Sequence, residues 1–86
     1  MRGEMVIIRA YGGVPLVRRF WEANDRVIYI TNDEQLRLLM NGEKAVSPIG
    51  FPKKDVFKFD RKIAHSISTT SSDEFDWGKL TPLITE

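Results

Sequence analysis

Cysteine is absent from this chain of 86 residues, so neither a disulfide framework nor a thiolate zinc site can hold it together. Histidine occurs once, at His65. A lone imidazole acts as a general base only where folding brings it a nucleophile and an orienting group, and its ordinary reading is a surface residue. Phosphate loops, dinucleotide fingerprints, metal-ligand spacings and nucleophile elbows are missing as well. Four carboxylates, Asp25, Asp33, Glu34 and Asp55, fall at turns and helix starts, where they satisfy backbone N–H groups. These absences argue against an enzyme, and no cofactor or metal is expected. No apolar run approaches the roughly 20 residues that cross a bilayer. The opening MRGEMVIIRAYGG holds only the short run Met5 to Ile8, less than the apolar region of a signal peptide. A cytoplasmic protein without membrane contact is the expectation. A chain this short supports one small domain, whose stability comes from packing or from assembly.

What is present is mostly β in character. EMVIIRA at 4–10 reads as a strand that ends at Gly12-Gly13, VPLVRRFWEA at 14–23 as a second and RVIYIT at 26–31 as a third, with Asn24-Asp25 as a hairpin turn. The period then changes. In TNDEQLRLLMNG, Leu36, Leu39 and Met40 form one stripe of a two-turn helix that must pack on the sheet to persist. Thr31 with Glu34, or Asn32 with Gln35, caps its start, and Gly42 suits its end. KAVSPIGF at 44–51 reads as a fourth strand, with Pro48 arguing for an edge or a bulge; PKKD makes one tight helical turn, and VFKFD at 56–60 is the fifth strand.

This order of elements and the Phe-Pro-Lys-Lys-Asp corner resemble a small SH3-like barrel over residues 4–60. The resemblance implies a mainly β, five-stranded barrel with one short inserted helix. The alternative is an α+β fold, an antiparallel sheet with a helix on one face. Residues 1–65 would form the barrel domain and 66–86 a polar linker and acidic aromatic tail. The division follows the composition: residues 1–65 carry twelve Lys and Arg against eight Asp and Glu, whereas 66–86 carry only Lys79 against four acids.

Several strands do not alternate cleanly. Ile28 and Ile30 oppose Val27 and Tyr29, Phe57 and Phe59 oppose Val56, and in the second strand each face carries apolar residues and an arginine. Either a bulge near Arg18-Arg19 swaps the faces or both faces are covered. One cover is the barrel interior with the short helix; the other is the tail, a second copy or a foreign partner. The leading function is therefore a non-enzymatic binding or adaptor module that works through protein contacts and self-association, using Trp21, Tyr29, Phe51, Phe75 and Trp77. The alternative is a nucleic-acid-binding barrel with Arg18, Arg19, Lys53 and Lys54 on phosphates among aromatic side chains.

Overall fold

A computed structural model describes residues 2–67 and 75–84. Five antiparallel strands form one sheet in the order β4-β3-β2-β1-β5: β1 is Met5–Ala10, β2 Val14–Ala23, β3 Val27–Thr31, β4 Ile49–Pro52 and β5 Val56–Lys58. Two helices accompany it, α1 at Asp33–Met40 and α2 at Arg61–Ser66.

The local chemistry accounts for the connections. β1 and β2 are joined by a 3-10 turn, Tyr11–Gly13, in which Gly12 and Gly13 have φ of 78° and 76°, a region that glycine enters without steric cost. Between β2 and β3 the Asn24 side-chain oxygen accepts from the backbone N–H groups of Arg26 (2.8 Å) and Val27 (2.9 Å), an Asx turn that replaces the missing glycine. Helix α1 starts with the Asn32 and Gln35 capping box, each side chain bonded to the other's backbone N–H at 2.7 and 3.1 Å. Lys53–Asp55 makes the tight 3-10 turn expected of the corner, and it leads directly from β4 into β5.

Register places the apolar residues on two faces. Val6, Ile8, Ile28, Ile30 and Val56 are buried together on one, with Leu16, Phe20, Phe51, Leu83 and Ile84 packed against them. Ile7, Phe57, Phe75 and Leu80 are buried on the other, under Val17, Ile63 and Trp77. The unalternating strands are explained by two covers on one thin sheet. A bulge does exist, but at Trp21: Phe20 pairs with Ile30 and Glu22 with Tyr29, which leaves Trp21 as the extra residue. Arg18 and Arg19 remain in regular register with Val6 and Met5, so the faces do not swap at that point.

Three expectations are corrected. The sheet does not close into a barrel, because β4 and β5 lie at opposite edges. The outer edge of β5 is taken by the chain's own C-terminal segment, where Lys58 N–H donates to Thr81 C=O (2.7 Å), Leu83 N–H donates to Val56 C=O (3.1 Å) and Phe57 pairs with Pro82. With that edge occupied, β5 has no ladder to offer β4. The fourth and fifth strands are also shorter than expected, and 43–48 is irregular. Finally, the apolar stripe of α1 is only partly used: Leu36 and Leu39 are half-buried, whereas Met40 is 63% exposed.

The C-terminal segment does more than fill an edge. Phe75 and Leu80 lie under the Ile7 face, a 3-10 turn at Trp77–Lys79 follows, residues 81–83 run along β5, and Leu83 with Ile84 reach the Val6 face. Ten residues thus wrap from one side of the sheet to the other. Burial of Phe75 and Leu80 alone, each at 8% exposure, is worth about 1.5–3 kcal/mol per side chain before entropy is subtracted.

Candidate functional site

The five aromatic residues expected at a protein interface do not share a surface. Phe51 lies on the Val6 face and packs on its core. Phe75 and Trp77 belong to the other face, where they meet edge-on with centroids 4.6 Å apart, and Trp77 lies 5.2 Å from Phe57. Their rings are engaged within the chain. Arg9 completes that cluster: its guanidinium stands 5.0 Å from the Trp77 ring and 5.4 Å from Phe57, while its Nε donates to Asp55 at 3.0 Å and another N–H to Lys54 C=O at 3.1 Å. One arginine ties the C-terminal segment to the β4–β5 corner through charge and ring stacking together.

Trp21 and Tyr29 occupy the other half of the sheet. The bulge turns Trp21 out of the regular ladder; the Arg2 guanidinium lies 3.9 Å above its ring, donates to the Trp21 C=O at 3.1 Å and reaches Glu22 at 3.6 Å. Tyr29 points away from the Ile28 core, across Gly50. A Cβ at Gly50 would stand 3.2 Å from the Tyr29 ring and 3.3 Å from Val27, so the absence of a side chain there lets the tyrosine lie flat on β4.

The basic residues are likewise divided. Consecutive positions on β2 send Arg18 and Arg19 to opposite faces. Arg19 is engaged, with Nε 2.8 Å from Asp33 and a further bond to Gly3 C=O at 3.2 Å. Lys53 and Lys54 sit in the 3-10 turn that joins β4 to β5. The four residues form no single phosphate-tracking groove.

Besides Tyr11, which is fully exposed at the β1–β2 turn, three large apolar side chains that sequence reasoning missed stand in solvent. Met40 (63% exposed), Val46 (70%) and Ile49 (59%) fall within ten residues, from the end of α1 to the start of β4. The irregular stretch before β4 is held at Val46, whose C=O accepts from Gln35 Nε2 at 3.3 Å. A shallow cavity of about 610 Å3 lies beside it, bounded by Leu38, Ala45 and Val46 with Asn32 and Lys44. The available signal was Pro48: a strand confined to an edge has no neighbour to cover its outer flank.

The hydrogen-bonding groups of that flank follow from the ladder. Phe20 exchanges backbone bonds of 2.8 Å with Gly3 and Glu4 and therefore turns towards β1. Alternation then turns Thr31 to β2, Ile28 and Ile30 to β4, and on β4 itself Ile49 and Phe51 inward and Gly50 and Pro52 outward. Proline has no N–H, so Gly50 supplies the one donor on the outer edge of β4, and Pro48 just ahead of the strand adds none. The edge is poor in donors, and the exposed Ile49 side chain stands at its start.

His65 lies exposed in the last turn of α2. Among the described residues no three His, Cys, Asp or Glu side chains gather as metal ligands, and no helix is long and apolar enough to cross a membrane. A scan against protein-family models and searches of curated proteins and of solved structures returned no match to this chain.

Proposed function

We propose that the chain is a non-enzymatic binding module, with the fold of a small SH3-like barrel left open, that works through protein contacts between copies. The open flank at Met40, Val46 and Ile49 is the contact surface. The observation that carries this reading is the unequal treatment of the two ends of the sheet: the β5 edge is wrapped by residues 75–84 of the same chain, while Met40 at the end of α1, Val46 ahead of β4 and Ile49 at its start keep large apolar side chains in solvent. A second copy suits the patch because Glu43 and Lys44 stand next to it in the chain. A two-fold axis sets such neighbouring opposite charges against one another across an isologous interface. Side-chain contact is the expected mode, since an edge with one donor gives strand addition little to bond to.

Sedimentation equilibrium across a range from micromolar to millimolar protein tests the proposal. A reversible rise to twice the monomer mass is expected, abolished by Val46→Asp together with Ile49→Asp while the thermal midpoint holds. A monomer throughout the range overturns it. Retardation of RNA or DNA that weakens steeply with salt and disappears on neutralising Lys53 and Lys54 would replace it with the nucleic-acid reading.

A further inference from the structure

A second cavity lies away from the open flank, at the end of the sheet where β1 begins and β5 stops. It measures about 660 Å3, within the range of small-molecule sites. Its walls come from four separate parts of the chain: Phe20 from β2, Phe59 just past β5, Leu83 and Ile84 from the wrapping segment, with Glu4 and Lys58 among them. Phe20, Leu83 and Ile84 are the same side chains that pack on the Val6 core, so the apolar wall is continuous with the interior and held by it.

The charged groups differ in their engagement. Glu4, which also lines the cavity, has an interaction of its own within the chain. Lys58 is paired in register with Val6, so its side chain leaves the sheet on the Val6 face, beside the cavity, and its head is exposed. The ion pairs of the described residues join Arg2 to Glu22, Arg9 to Asp55 and Arg19 to Asp33, and none uses Lys58. The backbone of Lys58 is nevertheless fixed, because its N–H is the donor to Thr81. An ammonium is thus anchored at the rim of a hollow whose lining is part apolar and part polar. Across β1, Arg18 occupies the position paired with Val6 from the other side, and it adds a second positive charge to the same face.

We infer that this cavity binds a small anionic amphiphile, a carboxylate or comparable head on an acyl or aryl body, with the head at Lys58 and the body against Phe20, Phe59, Leu83 and Ile84. Apolar burial supplies most of the affinity, and the ammonium selects the sign of the head group. This site is independent of the contact between copies, because it lies at the β1–β5 end and shares no residue with the Met40–Ile49 flank.

The probe is decanoate below its micellar concentration, with decanol and decyltrimethylammonium as the neutral and cationic counterparts, followed by amide chemical shifts of the full chain. Saturable decanoate shifts are expected at Glu4, Phe20, Lys58 and Phe59, with binding tighter than that of the cationic probe. Lys58→Gln should weaken decanoate by about three- to five-fold, the scale of one exposed charge pair, Lys58→Arg should retain it, and Lys58→Glu should invert the preference between anionic and cationic probes. Since the Lys58 head is exposed, these variants keep the native amide spectrum. Shifts that do not saturate, shifts spread over the whole sheet, or equal affinity for all three probes in the parent and in Lys58→Gln would overturn the assignment.

Discussion

The two edges of the sheet meet the same physical problem and resolve it differently. At β5 the unpaired ladder is filled by the chain itself: two backbone bonds to residues 81 and 83, a cluster of the Phe57, Phe75 and Trp77 rings in tilted and edge-on contact, and Arg9 holding the corner to that cluster. Among the described residues none pairs with the outer edge of β4, and that edge is limited instead by proline chemistry on its outward side. The sealed edge draws its stability from contacts between residues far apart in sequence. From the end of α1 to the start of β4 solvent meets the side chains Met40, Val46 and Ile49, so little stability is at stake there and surface remains available for contact.

The largest break in this comparison comes from removing the seal. A chain ending at Ile67 loses Phe75, Leu80 and the bonds along β5. It should lose more than about 3 kcal/mol by urea denaturation, on the scale of two buried apolar side chains, which unfolds much of a domain this small. Next in size, Arg9→Met keeps much of the side-chain volume but removes the ion pair with Asp55 and the charge facing Trp77. A loss of about 1–2 kcal/mol is expected, together with a shift in the Trp77 indole resonance. Were the melting curve unchanged, the seal would rest on ring packing alone. On the open half, Thr31 is 2% exposed and its hydroxyl has no hydrogen-bond partner among the described residues. Thr31→Val should therefore stabilise by about 1 kcal/mol, a gain visible as a raised denaturant midpoint. Least of all, Ile49→Ser should change stability by under about 0.5 kcal/mol while weakening self-association. A large destabilisation at Ile49 would mean that the β4 flank is structural after all.

Much of the local architecture was legible in the sequence because it is decided by neighbours in the chain. Asn24 before two donors makes its own turn, Asn32 and Gln35 cap a helix from three residues apart, and Pro52 commits Lys53–Asp55 to a tight corner. The doubled apolar faces of Val27–Tyr29 and of Phe57–Phe59 rightly called for a second cover. What covers them is a long-range matter. Whether β5 pairs with β4 or with residues 81–83 depends on which reaches its edge with the better register, and periodicity carries no information about that competition. The Trp21 bulge is similarly set by the fit of β2 against β3. The exposure of Met40 reflects a helix whose stripe is wider than the surface it meets. The cavity beside Lys58 joins residues 4 to 84 of the chain, so no short motif records it.

The proline-flanked glycine of β4 has a consequence for growth. A sheet lengthens without limit only if each molecule offers a donor-rich margin at both ends, one to receive and one to template the next. Here one margin is consumed by the molecule's own terminus and the other presents a lone amide at Gly50, so stacking of successive subunits into a fibre stops at the first addition. Growth by successive strand addition is accordingly blocked.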